Sequence, residues 1–196
     1  MVPSKIFVKL DLSTSPCTQP STMQIIWRES ADAATYEEAR IGRVFNHRRP
    51  ERFPLAVVKA TCEEDIVAAV KLAAEKNCRV AVRSGGHSWA AWSVRDNSIL
   101  IDLGNYKTMQ VDAVNKIARA SPSMTGRELN SVLVKEYQLM FPGGHCPDVG
   151  LGGFLLQGGM GWNCRVRYQR QFSITSSEVL IVFLELGLGL RESSGC

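Results

Sequence analysis

Long hydrophobic runs are missing from this sequence. The longest, Val179 to Leu184, is stopped by Glu185 and then diluted by Gly187 and Gly189, well short of the roughly 20 apolar residues a membrane-spanning helix needs. Near the start, Lys5 and Lys9 flank a few apolar residues, but Asp11 interrupts before a secretory apolar segment forms. The chain therefore reads as soluble, without a membrane association or address segment, and cytoplasmic by default. Charge of one sign is scarce as a block. Lys and Arg number 23 against 19 Asp and Glu, a net charge of +4, and the Arg48-Arg49 pair is followed at once by Glu51. A nucleic-acid partner needs a clustered basic footprint, and none is present. Histidine is sparse too: His47, His87 and His145 are the full set. With no H-E-x-x-H and no C-x-x-C pair, and with His145 and Cys146 adjacent and so badly placed to share one ion, no metal is expected. The six cysteines are Cys17, Cys62, Cys78, Cys146, Cys164 and Cys196. In a chain this rich in core residues they read as thiols in a reducing compartment rather than a disulfide scaffold. No Gly-Lys-Ser/Thr phosphate loop, no G-x-S-x-G elbow and no fixed-period repeat occurs.

What is present is ordinary globular material: 196 residues, 45% hydrophobic and 21% charged, enough for one sizeable core or two small ones. Residues 1–26 read as a loose tail, Ser-, Thr- and Pro-rich over 1–22. A helix is expected between Ala31 and Phe45, ended by Arg48-Arg49-Pro50, and Leu55 to Lys59 reads as a strand. Thr61 with Glu64 three residues later forms a capping box ahead of the helical stripe Ile66, Val70, Ala73. Cys78 to Arg83 alternates as a strand, with Val80 and Val82 on one face. Ser98 to Leu103 is another strand. Met109 to Val111 and Ile117 to Ala120 flank a polar turn and read as a hairpin. Thr125 with Glu128 is a second capping box, followed by Leu129, Val132 and Leu133. Strands and helices in this order give an α+β fold.

The last third changes character. Gly143, Gly144, Gly150, Gly152, Gly153, Gly158, Gly159 and Gly161 are half of the sixteen glycines and fall within nineteen residues. Val149, Leu151, Phe154, Leu155, Leu156, Met160 and Trp162 are interleaved with them, which a linker would lack. The pattern points to a backbone that approaches something closely while staying buried. A second constellation, Arg83-Ser84-Gly85-Gly86-His87-Ser88-Trp89, follows directly on a strand. Two glycines in a turn let successive N–H groups form a nest for an anion such as a pyrophosphate, with Arg83 and the Ser84 and Ser88 hydroxyls adding to it. An ordinary Gly-Gly turn with an incidental histidine accounts for these residues equally well. Cys146 lies in a glycine-rich turn whose amides can favour a thiolate, although buried inert cysteines are the commoner case.

In order along the chain, RSGGHSW, the strand SILIDL, PGGHCPDVGLGG and GGMGW resemble the FAD-binding domain of the vanillyl-alcohol oxidase superfamily, in particular its berberine-bridge-enzyme-like branch. The resemblance covers roughly residues 27–164. It implies a PCMH-type fold of two subdomains with FAD between them. It places the pyrophosphate in the turn Ser84 to Ser88. It implies a covalent bond from His87 to the flavin 8-methyl group and a second from Cys146 to ring carbon 6. Val149, Gly150, Gly152, Gly153, Gly158, Gly159 and Gly161 would line the cofactor. The implied activity is a flavin-dependent oxidation: a small-molecule substrate passes a hydride to FAD, and dioxygen then accepts the electrons as hydrogen peroxide. Trp89, Trp92 and Trp162 are expected as packing and cavity-wall residues, and Asp148 as a turn residue.

After Cys164-Arg165 the resemblance stops, and residues 166–196 are expected as a tail foreign to the family. The chain is less than half the family's usual length, so the substrate domain and the family's catalytic base are expected to be absent, and no general base is assigned. Such a truncated domain would expose sheet edge and apolar surface and would lean on bound FAD for stability.

Overall fold

The computed structural model describes residues 4–5, 7–10 and 23–161. The expectations for Trp162 and for 166–196 lie outside the described residues. The described residues form a four-stranded, a three-stranded and a two-stranded sheet, and the two larger ones are each covered by helices. The first is a four-stranded sheet in the order β3 (Gln24–Trp27), β4 (Ala56–Lys59), β6 (Ser98–Asp102), β5 (Arg79–Arg83). β3 runs antiparallel to β4, while β4 and β5 both pair parallel with β6. A parallel strand covered on both faces loses polar alternation, which is why β6 reads SILID and is buried throughout.

The side-chain period of two divides this sheet's core. Ala56, Val58, Ile99 and Ile101 face Ile66, Ala69 and Ala73 of α2 (Glu63–Glu75). Val57 and Leu100 face Tyr36 and Ala39 of α1 (Ala33–Ile41). Each large aliphatic side chain buried this way contributes about 1.5–3 kcal/mol. α1 is shorter than the sequence pattern implied. Asp32 caps its start by accepting from Thr35 N–H. The start of α2 also differs. Cys62 is its N-cap, and Thr61 donates from its N–H and its hydroxyl to the Asp65 carboxylate at 2.9 and 2.8 Å, so Asp65, not Glu64, closes the turn. Val80 and Val82 do share one face of β5, but that face is outward on an edge strand.

The second layer holds the antiparallel pair β7 (Met109–Asp112) and β8 (Ile117–Ala120), the expected hairpin. One short N-terminal strand joins it and another forms a separate two-stranded sheet, where the sequence suggested a loose tail. β1 (Ser4–Lys5) pairs parallel with β9 (Leu139–Met140), and β2 (Phe7–Leu10) pairs parallel with β8, Phe7 opposite Ile117. The partners of β2 lie about 110 positions away, so no local pattern reveals them. α3 (Gly126–Tyr137) opens with the expected capping box: Thr125 Oγ1 accepts from Glu128 N–H, and the Glu128 carboxylate accepts from Thr125 N–H. Its Leu129 and Leu133 pack on Ala118, Ala120, Phe141 and Leu151. A last helix, α4 (Leu151–Gln157), stands inside the glycine-rich stretch, where the glycines masked the helical pattern.

Candidate functional site

The loop after β5 and the loop before α4 meet backbone to backbone. A Cβ added to Gly85 would lie 2.6 Å from Gly150 Cα and N, so a side chain at either position would part the two loops. Gly86 sits at φ +72°, a left-handed conformation open to glycine at little cost, with the Arg43 carbonyl where its Cβ would be. The segment after α1 grips this turn. Arg43 Nη2 donates to Ser84 O at 2.6 Å, and Phe45 N–H donates to Gly86 O at 3.2 Å.

Arg83 does not join the anion nest that the sequence suggested. Its guanidinium is 1% exposed and donates to Ala39 O (2.5 Å) and Arg40 O (2.6 Å) at the end of α1, and to Asp102 Oδ2 (2.6 Å). The other Asp102 oxygen accepts from Arg43 Nη1 and from Gly104 N–H. A buried carboxylate thus ties β5, β6 and the loop-gripping segment together. Ser84 Oγ lies beside Gly152, and Ser88 Oγ accepts from Trp92 N–H at 3.2 Å.

His87 lies flat on Phe45, ring centroids 3.9 Å apart at an interplanar angle of 9°. Trp89 meets the same Phe45 edge-on at 5.3 Å. Trp89 and Trp92 are surface residues, 76% and 59% exposed, rather than the packed wall residues expected. Arg95 stacks over Trp92.

Cys146 comes from the other loop, whose residues dock on the first turn of α3. Gly126 N–H donates to Val149 O (3.3 Å) and Arg127 N–H to Pro147 O (2.7 Å), using N–H groups that a helix start leaves without intrahelical partners. Arg127 Nε and Nη2 grip the two Asp148 oxygens at 2.6 and 3.0 Å. That hydrogen bond, with the arginine's charge behind it, holds the Asp148 carboxyl below its ordinary value. Asp148, expected as a turn residue, is thus half of a two-pronged ion pair. Cys146 is an exposed free thiol, and its Sγ stands 3.5 Å from His87 Nε2.

The remaining glycines frame this loop. Gly150 caps α4, and Gly152 N–H donates to Pro122 O at 2.8 Å. The Cβ position of Gly153 meets nothing within 4 Å. Gly158 ends α4 at φ +79°, Gly159 lies against the Phe154 ring, and Gly161 against Gly143 O. Met160 O accepts from His145 N–H at 3.1 Å. Beside Cys146 opens a small pocket lined by Asn130, Phe141, Pro147, Val149 and Phe154 among others. Sequence reasoning missed Phe45, Arg43 and Arg127. Only Arg127 left a signal: a cation in the first turn of a helix, where the macrodipole disfavours it. Among the described residues, no group of His, Cys, Asp and Glu could hold a metal, and no helix is long and apolar enough to cross a membrane.

The sequence profile of the FAD binding domain matches residues 54–180. The chain belongs to this family. Among its curated relatives, the FAD-linked oxidoreductase nodO of Hypoxylon pulicicidum is 53% identical over 144 residues, covering 74% of this chain and 32% of that protein. The xylooligosaccharide oxidase of Thermothelomyces thermophilus is 33% identical, covering 70% and 28%. The fold is that of the solved Physcomitrella patens BBE-like 1, with a TM-score of 0.65 at 25% identity over 74% of this chain and 30% of that one. The chain therefore spans about a third of the length of the relatives it matches. The family accounts for the α+β fold and for FAD as cofactor. The residues present fit that cofactor. A reachable imidazole and a reachable thiol face each other at 3.5 Å, beside a turn opened by Gly85 and Gly86.

Proposed function

We propose that this chain is the cofactor-holding portion of an FAD-dependent, berberine-bridge-like oxidase, with the flavin bonded to both His87 and Cys146. The observation that carries this reading is the 3.5 Å approach of His87 Nε2 and Cys146 Sγ, two nucleophiles of different chemistry delivered to one spot by different layers of the fold. When bound, FAD supplies a two-electron acceptor that takes hydride from a small organic substrate and passes the electrons to dioxygen, leaving hydrogen peroxide. The chain's own residues hold and orient. The N–H groups of Ser84 to Ser88 would hold the pyrophosphate, His87 would fix one edge of the ring system through the 8-methyl group, and Cys146 would fix it again at ring carbon 6. Val149, Gly150, Gly152, Gly153, Gly158, Gly159 and Gly161 line the remainder. An alcohol, a sugar or an alkaloid is the substrate class, and we assign no general base within these 196 residues.

The length of the relatives favours a second reading, a flavin-binding segment that turns nothing over by itself. One sample separates the readings: the denatured, purified chain is measured by intact mass and by visible absorbance. A flavin mass that survives denaturation, and that disappears only in the His87→Ala, Cys146→Ala double variant, supports attachment at both residues. Substrate-driven peroxide release by this chain alone sinks the non-catalytic reading. An apo mass with no flavin absorbance sinks both and leaves an interaction module or a non-functional product.

A further inference from the structure

We propose that Arg127 is the positioning residue for Cys146, and that it acts on this attachment alone, separately from the seat Phe45 provides for His87. The inference rests on the preceding reading that both residues bond the flavin. Cys146 is exposed, so packing does not fix it. Its downstream neighbours are fixed instead: Pro147 O, both Asp148 oxygens and Val149 O are all held by the first turn of α3. Three of these four hydrogen bonds come from Arg127, one from its backbone and two from its side chain. A cation in the first turn of a helix opposes the macrodipole, so Arg127 is a poor choice for the helix itself. Its fit to Asp148 explains its presence, because a guanidinium matches a carboxylate with two parallel bonds and so fixes direction as well as distance. His87 has an unrelated support, the flat stack on Phe45, which hangs from the segment after α1.

The two attachments balance in the same way. Cys146 loses its thiol hydrogen and the ring carbon loses its hydrogen as the S–C bond forms. The two electrons and two protons reduce one dioxygen to hydrogen peroxide. At His87 the N–C bond forms with loss of the ring N–H hydrogen and one methyl hydrogen, and a second dioxygen takes the electrons. Positioning by Arg127 bears only on the first of these bonds.

The test uses the full chain loaded with FAD under air, sampled over time and digested with trypsin. His87 then lies on the peptide of residues 84–95 and Cys146 on that of residues 136–165. In the parent chain both peptides end joined through one flavin. In Arg127→Gln the joined product should form about two- to five-fold more slowly, the range for loss of an exposed ion pair whose backbone bonds remain, while flavin on the 84–95 peptide accumulates as before. Phe45→Leu should slow the 84–95 linkage instead. Asp148→Arg should behave like Arg127→Gln, and the exchanged pair Arg127→Asp, Asp148→Arg should restore the parent rate, with the Cys146 peptide then ending at residue 148. An unchanged rate in Arg127→Gln, an equal loss at both linkages or no recovery in the exchanged pair overturns the proposal. If even the parent chain carries no flavin, the functional reading fails separately. The clamp is then judged by hydrogen exchange of the apo chain, where Arg127→Gln must speed exchange in 143–150 and leave 84–88 unchanged, or the clamp is refuted as well.

Discussion

Replacing Asp102 by Asn isolates the charge at the centre of the first layer. The substitution keeps the shape of the side chain and removes its charge. Arg83, 1% exposed, would then face a neutral amide in place of its counter-ion, beside the Ala39 and Arg40 carbonyls, and its Nε is already buried without an acceptor. Leaving a buried cation without its counter-ion costs about 3–5 kcal/mol. Arg43 adds little to this figure, because its side chain is 34% exposed and water replaces the lost carboxylate there. Set against a total stability of about 5–15 kcal/mol and a urea slope of about 2 kcal/mol per molar, the midpoint should fall by about 1.5–2.5 M. Urea unfolding followed by tryptophan fluorescence measures this, since Trp27 lies in β3 of the affected sheet. Adding Arg83→Met to the variant removes the stranded cation and should recover part of the loss. A midpoint shift equivalent to less than about 1 kcal/mol, the size expected of an exposed pair, would refute the reasoning. It would mean that water reaches Arg83 in the folded chain.

Three further outcomes follow from the same structure. Gly85→Ala places a methyl 2.6 Å from the Gly150 backbone, which cannot rotate away. Overpacking of this kind costs about 1–3 kcal/mol, and flavin retention after gel filtration should fall with the urea midpoint. Tyr36→Phe removes the donor to Pro54 O, a buried bond of 2.7 Å, and should cost about 1–2 kcal/mol by thermal unfolding. Burial raises the cost of ionising Glu128, but the Lys107 ammonium and the Thr125 N–H and hydroxyl outweigh it and hold the carboxyl below its usual 4.5. Its folded value is the depressed one, so its contribution is present above pH 4.5 and is lost as pH falls through the lower, folded value. The acid limb of a urea-midpoint profile should be shallower in Glu128→Gln than in the parent chain.

How much of this the sequence shows depends on the range of the interaction. The Thr125-Glu128 box closes within one helical turn and is found as read, and SILID announces a strand buried on both faces. The Thr61 box fails because Asp65 competes for the same hydroxyl one residue further along, and spacing alone cannot rank two carboxylates in one turn. His87 and Cys146 stand out by motif, yet their 3.5 Å approach depends on two loops meeting at Gly85 and Gly150. Arg83 misleads for a related reason. Its position at the end of a strand fits an anion site, but its burial is decided by α1 and β6, which the local sequence does not contain. Phe45 leaves no trace at all, because a stacked ring has no spacing rule.

The parallel pairing of β2 with β8 sets a schedule for synthesis. Phe7–Leu10 is made before its partner Ile117–Ala120, which follows about 110 positions later. At roughly 5–20 residues per second, that is a wait of about 5–20 seconds. During the wait β3, β4, β5 and β6 are already made and can close their own sheet, while β2 waits for its partner. Pairings this distant are slow to form, so nascent-chain binding by a holdase chaperone should concentrate on residues 7–10 and end once residue 120 has emerged.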